Sequence, residues 1–166
     1  MNDCLFFGSN QKPNELIKND EDRITKPIQF KFKFKFENEN EKQIKQISSS
    51  NFSTIFLFKN GKAIEYLLEY FRVSKKNPVE IPIENIQKVV AGGLNEAILT
   101  AEGNLFGKGK DMNPKNPKEF INISSLIEDP NDKIIEDIAP GWDSFYLLTS
   151  NQMFMELVQI NIVNLA

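Results

Sequence analysis

The sequence contains no histidine and only one cysteine, Cys4. Without histidine the chain lacks the commonest general base, the commonest metal ligand and every Ser-His or Cys-His nucleophile pair. A single cysteine cannot form an intramolecular disulfide, which favours a reducing compartment. We therefore expect a protein that is not an enzyme, with no catalytic, cofactor-binding or metal-binding residue.

Long apolar runs are also absent. The N-terminus lacks the basic start and the apolar run of a secretory signal. The apolar stretch 153–166 is shorter than the roughly 18 residues of a membrane span and is interrupted by Glu156, Gln159 and Asn161. The net charge of −3 gives no general attraction to nucleic acid or to an anionic membrane. We expect a cytoplasmic or nuclear protein with no specific nucleic-acid partner and no membrane partner.

What the sequence does contain is an internal repeat. Three segments can be aligned without gaps: 47–66, 89–108 and 138–157. Each opens with an aliphatic residue (Ile47, Val89, Ile138), and a hydrophobic triplet follows eight positions later. A turn and a second short hydrophobic run complete the unit, which predicts a β-hairpin in every copy.

The turn residues support the hairpins. Gly61 and Gly103 provide the tolerance of positive φ that a tight reversal requires, whereas the third copy has Gln152 at that place. A further strand is predicted before each hairpin, most clearly over 27–36, where apolar residues alternate with Gln29 and three lysines. Shorter alternations follow Pro78 and Pro117.

The middle copy resembles the repeat of the regulator-of-chromosome-condensation β-propeller family. The family pattern of an aliphatic residue, Ala-Gly, a polar pair, a short strand, a glycine turn, a hydrophobic pair and a closing glycine is matched in order. The matching residues are Val89, Ala91-Gly92, Asn95-Glu96, Ala97–Thr100, Gly103, Leu105-Phe106 and Gly109. Residues 4–10 overlay 105–111, so we expect the chain to begin inside a repeat.

The chain departs from the family pattern at two places. The family's His-Ser pair is replaced by Asn95-Glu96 in the middle copy and by other pairs in its neighbours, Ser53-Thr54 and Ser144-Phe145. In the first copy, Ser49-Ser50 stands where the family has Ala-Gly.

The resemblance implies an all-β fold, a partial β-propeller of about three four-stranded antiparallel blades. We expect it to be open rather than closed, because a closed ring needs roughly twice this length. The predicted division is the end of a preceding repeat plus a loop (1–26), two repeats (27–77 and 78–119), and a repeat with a C-terminal tail (120–166). All four parts are expected to form one propeller domain.

The same resemblance implies a non-catalytic protein-interaction module, a scaffold or adaptor, with no cofactor. One alternative is a guanine-nucleotide exchange factor for a small GTPase, and another is a propeller fragment without independent function. The implied partner is another protein, such as a small GTPase or a ubiquitin-ligase component. Self-association through open blade edges is a further alternative.

Candidate partner-binding residues are Trp142 and three lysines of a basic loop, Lys108, Lys110 and Lys115. An exposed tryptophan would be a binding anchor, but we expect Trp142 to be a buried wedge between blades and the basic loop to be simply solvated. Acidic clusters at 20–22 and 37–41 are interpreted as solvated loops rather than calcium or magnesium sites. Structural turn glycines are predicted at Gly8, Gly61, Gly92, Gly103, Gly109 and Gly141.

Overall fold

The computed structural model describes residues 4–9, 23–30, 43–50, 52–67, 78–110, 112–113, 115–127, 134–151 and 154–158. The chain divides into two compact units, Met1–Gln43 and Ile44–Ala166. Within the described residues the regular structure consists of β-strands and a single-turn 3₁₀ helix, Ser124–Leu126. The prediction of an all-β protein is confirmed.

The described residues of the first unit form an antiparallel pair, β1 (Cys4–Ser9) and β2 (Arg23–Phe30). The strand predicted over 27–36 begins earlier, at Arg23, and the lysines after Phe30 lie outside the described residues. Gly8 was predicted in a turn, and this is wrong. It lies inside β1, where the pairing register shifts between Phe6 and Gly8, so the chain bulges there instead of reversing.

The second unit contains three antiparallel sheets. The first sheet is β3 (Ile44–Ser49), β4 (Ser53–Phe58), β5 (Ala63–Leu67) and β6 (Val79–Glu80). The second sheet is β7 (Ile86–Ala91), β8 (Asn95–Thr100), β9 (Leu105–Gly109) and β10 (Ile121–Asn122). The third sheet is β11 (Ile135–Pro140), β12 (Ser144–Thr149) and β13 (Phe154–Val158).

The three predicted hairpins are present as β4–β5, β8–β9 and β12–β13. Gly61 and Gly103 turn the first two with φ of 80° and 81°, which is the conformation that favours glycine. The first strand of every sheet also carries a register shift at the same place, next to Gln46, Lys88 and Asp137. A shared bulge shows that the three sheets are structurally equivalent.

The sheets stack face to face in chain order. Between the first and second sheets lies an apolar core that includes Ile55, Leu57, Val89 and Ile98. A second core between the second and third sheets has the following members, all buried: Val90, Ala97, Leu99, Leu105, Met112, Ile123, Ile127, Ile135, Ile138, Phe145 and Leu147. The three sheets therefore form a partial, open β-propeller, because each sheet packs a face against the next.

The aliphatic residues that open each repeat occupy the same strand position but differ in burial. Val89 and Ile138 are fully or almost fully buried because each packs toward the sheet before it. Ile47 is 45% exposed, because it lies on the face of the first sheet turned away from the second.

The sheets divide the chain differently from the predicted repeats. The short strands after Pro78 and Pro117 were grouped with the hairpin that follows, but β6 pairs with β5 and β10 pairs with β9. Each completes the preceding sheet. The three sheets span 44–80, 86–122 and 135–158 and are offset from the predicted repeats, which begin at 27, 78 and 120.

Candidate protein-interaction surface

Three equivalent loops lie at one end of the three sheets, each joining the first strand to the second. They span 50–52, 92–94 and 141–143. In each, a backbone N–H donates to a backbone carbonyl three residues on, at 2.8 Å: Ser50 to Ser53, Gly92 to Asn95, and Gly141 to Ser144. Because the sheets stack in the same orientation, these loops share one face of the second unit.

Each loop presents one large apolar side chain to solvent. Phe52 is 41% exposed, Leu94 is 49% exposed and Trp142 is 62% exposed. Single exposed apolar residues are ordinary on protein surfaces, but three on equivalent loops at one end of a fold are a feature that requires an explanation. We call these three residues the loop rim.

The second and third loops are fixed to each other. Leu94 N–H donates to the carbonyl of Trp142 at 2.9 Å, and Asn95 Nδ2 donates to the carbonyl of Asp143 at 3.0 Å. The indole ring of Trp142 lies directly on Gly93, where an added Cβ would be 2.6 Å from Cδ2 of the ring. An added Cβ at Gly92 would likewise be 2.6 Å from the carbonyl oxygen of Gly141. The Gly-Gly pair thus serves close approach of two loops.

The first loop is stabilised by its own serine. Ser50 Oγ accepts from the backbone N–H of Phe52 and of Ser53, each at 3.2 Å. This is the hydroxyl-capped turn that serine forms readily. Ser50 therefore replaces the family's glycine without loss of order. Its hydroxyl holds the first loop by hydrogen bonds, whereas Gly92 allows the second loop to pack closely against the third.

Beneath the first two loops lies a buried set of polar residues, which we call the charge cluster: Ser53, Glu65, Glu96 and Lys108. Lys108 Nζ forms ion pairs with Glu65 across the sheet interface and, at 2.9 Å, with Oε2 of Glu96 in its own sheet. Ser53 Oγ donates to Oε1 of Glu96. The four residues range from fully buried to 8% exposed. Lys108 Nζ also lies 5.2 Å from the centre of the Phe120 ring.

The charge cluster is not balanced when all its groups are ionised, since two carboxylates face one ammonium. Burial and, next, the negative charge of Glu96 raise the pKa of Glu65 to about 7, although Lys108 acts in the opposite direction. Between about pH 4.5 and 7, Glu65 therefore keeps a proton in the folded chain that the unfolded chain releases.

The structure separates the predicted lysine set. Lys108 does not belong to an exposed basic loop. It is 6% exposed in β9, because the alternation of the strand turns it toward the first sheet. Lys110 and Lys115 are exposed, and Lys110 directly follows Gly109, which pairs with Asn95 at the end of the sheet that carries Leu94. A partner-binding role for these lysines stays a prediction.

The structure also differs from the predictions for Trp142 and Gly109. Trp142 is not a buried wedge, because it rests on Gly93 with most of its surface exposed. Gly109 has φ of 132° at the end of β9 and packs on Leu94 and Asn95, so it serves both conformation and close approach. Gly92 and Gly141 each follow the first strand of their sheet and begin the loop to the second strand. The acidic clusters at 20–22 and 37–41 and Gln152 lie outside the described residues.

Sequence reasoning missed Phe52, Leu94, Glu65 and Glu96 as site residues. A signal for Glu96 was present, because in this chain glutamate occupies a place where the aligned copies have Thr54 and Phe145. In the part of the chain that the structure describes, no group of three or more metal-ligating side chains comes together. No helix within those residues is long and apolar enough to cross a membrane.

Similar architectures occur in solved structures. Human WBSCR16 superposes with a TM-score of 0.66 at 15% identity, covering 89% of this chain and 40% of that chain. Yeast RCC1 (Prp20), solved bound to Kap60, gives 0.60 at 13% identity, covering 86% and 34%. The fold is an RCC1-like β-propeller. Prp20p from Saccharomyces cerevisiae, described with its binding properties to Gsp1p and histones, gives 0.62 at 12%, covering 86% and 35%.

The chain spans at most about 40% of the length of these RCC1-like structures. No protein-family profile matches the chain, and no curated protein sequence matches it. The likeness lies in the fold, since the identities are 12–15%.

Proposed function

We propose that this chain is a non-catalytic protein-interaction module, a scaffold or adaptor, that binds its partner at the loop rim. The observation that carries the proposal is the exposure of Phe52, Leu94 and Trp142 on equivalent loops at one end of the sheets. Tryptophan is enriched among the residues that dominate binding energy, and aromatic side chains are enriched at the centre of protein interfaces.

The loops carrying these side chains are already ordered by internal hydrogen bonds. The second and third loops are bonded to each other, and Ser50 caps the first. Binding to a preformed surface costs less conformational entropy than binding to a mobile loop. Lys110, exposed beside the Leu94 loop, adds a cation at the margin of the surface, where charged residues steer association.

The RCC1-like structures support a protein as the partner. One was solved with Kap60, and another is described by its binding to Gsp1p and histones. The absence of histidine from the sequence supports a role without catalysis, as does the mutual pairing of the buried charges around Lys108.

Site-specific photo-crosslinking tests the proposal. A photoreactive residue at Leu94 samples the loop rim, and the same residue at Ile134 is the matched control. Ile134 is 63% exposed and lies at the opposite end of the third sheet, where its carbonyl accepts from Ser150 N–H. We expect protein partners that crosslink from position 94, do not crosslink from position 134, and disappear in the Trp142→Ala background.

Identical products from both positions would contradict a partner site at the loop rim. Incubation with small GTPases carrying labelled nucleotide provides a separate arm. Accelerated nucleotide release would replace the scaffold proposal with an exchange factor, whereas binding without release supports the scaffold. A calorimetric melt of the chain addresses the fragment alternative, because a folded module gives a cooperative transition.

A further inference from the structure

The charge cluster sits directly under the loops that carry Phe52 and Leu94. Ser53 begins β4 immediately after Phe52, and Glu96 is the second residue of β8, two positions after Leu94. Ser53 and Glu65 belong to the first sheet, while Glu96 and Lys108 belong to the second. Every contact between Glu65 or Ser53 and the other two residues therefore crosses the interface between these sheets.

The charges inside this interface can be counted. Two carboxylates and one ammonium leave one negative charge uncompensated when all three are ionised, and uncompensated charge is strongly disfavoured in a buried site. The Ser53 hydroxyl solvates one oxygen of Glu96 but supplies no charge. Uptake of one proton by the carboxylates makes the cluster neutral, with a single carboxylate left opposite Lys108.

Among the described residues, no other titratable group faces Glu65 from the strands packed against it. From β8 and β9 it meets Glu96 and Lys108. On the neighbouring strand β6, Glu80 is exposed and pairs with Ile64, which alternates with Glu65 and points to the opposite face. From β7 the residues turned toward the first sheet are apolar, Val89 and Ala91.

We propose that the interface between the first and second sheets is a proton-responsive joint, in which protonation of the charge cluster tightens the packing and fixes the spacing of Phe52 and Leu94. The raised pKa of Glu65, about 7, places the response near neutral pH. The importance of the spacing of Phe52 and Leu94 rests on the proposed function of the loop rim, whereas the effect of protonation on packing does not.

The direction of the pH effect follows from proton linkage. Because the pKa of Glu65 rises from 4.5 in the unfolded chain to about 7 in the fold, the folded state binds more protons between these values. Stability from this group is fully present below about pH 4.5 and is lost as the pH rises to 7. One linked proton changes the unfolding equilibrium constant by up to about tenfold per pH unit.

Urea denaturation of the full chain between pH 5 and 8, with Glu65→Gln compared to the wild type, tests whether protonation tightens the packing of the first and second sheets. Glutamine imitates the protonated carboxyl, so the variant should match the wild type at pH 5 and exceed its stability at pH 8. Glu96→Gln also leaves one carboxylate opposite Lys108 and should flatten the profile too. Glu80→Gln, an exposed glutamate of the same sheet, is the matched control and should retain the wild-type slope.

An NMR titration of the wild type, without any partner, tests whether protonation of the charge cluster affects the loop rim. We expect the methyl resonances of Leu94 to shift with a midpoint near pH 7, and those of Leu147, in the second core, to stay constant. The Leu94 shift should vanish in Glu65→Gln. If the free energy of unfolding depends on pH as in the wild type in both Glu65→Gln and Glu96→Gln, the proposal of a proton-responsive joint is wrong. If the Leu94 resonances do not shift with pH but the glutamine variants do change the pH dependence of stability, only the link between the joint and the loop rim is wrong.

Discussion

The two interfaces between sheets in residues 44–166 use equivalent strand positions for opposite chemistry. At the first interface these positions hold Ser53, Glu65, Glu96 and Lys108, all buried and bonded to one another. At the second, the register places Asn95, Gly107, Phe145 and Leu157 at the corresponding positions. The same backbone positions thus hold a buried charge cluster at the first interface and no charged residue at the second.

The difference shows what each interface depends on. Gly107 leaves no room for a side chain, since an added Cβ would be 2.8 Å from Cδ1 of Ile123, and Phe145 is fully buried. Packing of this kind is insensitive to pH. A buried ion cluster, in contrast, is weak evidence for net stability but very sensitive to the loss of one member. We therefore expect the first interface to respond to charge and the second to volume.

Removal of the Phe145 ring is expected to give the largest effect. Phe145→Ala should lower the free energy of unfolding by about 4 kcal/mol, because it removes a fully buried ring and leaves a cavity. The loss should be the same at pH 5.5 and pH 8 in urea denaturation. A loss that changes strongly with pH would break the distinction between the interfaces.

Removal of the Lys108 ammonium should have a somewhat smaller effect that depends on pH. Lys108→Met leaves two buried carboxylates without a cation, and we expect a loss of about 3 kcal/mol at pH 8. The loss should shrink at pH 5.5, where Glu65 is protonated. Lys110→Met, two residues along the chain at an exposed position, is the control and should be nearly neutral at both pH values.

Crowding the contact between the second and third loops tests the loop rim. Gly93→Ala would place a Cβ against the Trp142 ring, at a cost of about 2 kcal/mol, and would displace the indole. Trp142 is the only tryptophan, so the fluorescence of the protein reports on this ring and should change when the ring is displaced. Gly103→Ala has no atom within 4 Å of the added Cβ and strains only a φ of 81°. It should cost about 1 kcal/mol and leave the fluorescence unchanged.

The ion pair between Lys88 and Asp137 is expected to contribute least. It joins the second and third sheets, but its side chains are 29% and 53% exposed, so solvent screens the interaction. Lys88→Ala should cost about 0.5 kcal/mol at low salt, measured by urea denaturation, and almost nothing at 1 M salt. A loss comparable with that of Lys108→Met would show that burial does not distinguish these two ion pairs.

Local sequence signals predicted the hairpins well. Alternating apolar residues and the turn glycines Gly61 and Gly103 act within one strand pair, so they can be read from neighbouring residues. The assignment of β6 and β10 to the preceding sheet could not be read in this way. Each of these strands is two residues long, and pairing with β5 or β9 is decided by packing across the sheet.

The site was less predictable than the fold. Trp142 was singled out as the only tryptophan, but its exposure depends on Gly93, 49 residues earlier in the chain. Lys108 looked like part of a basic loop, because its partners Glu65 and Glu96 are supplied by a different strand in each case. The contact with Glu65 arises from stacking of two sheets and leaves no pattern in neighbouring residues, whereas Glu96 is paired with Lys108 within the β8–β9 hairpin.

Rescue of Lys108→Met by Glu65→Gln is the most direct test that consecutive sheets stack in this register. The two residues are 43 positions apart and belong to different sheets. At pH 8 we expect Glu65→Gln to restore about half of the stability lost in Lys108→Met, a larger gain than it gives in the wild type, because it removes one of two unpaired buried charges. Equal gains in both backgrounds, measured by urea denaturation, would show that Glu65 and Lys108 do not meet and would contradict the stacked-sheet arrangement.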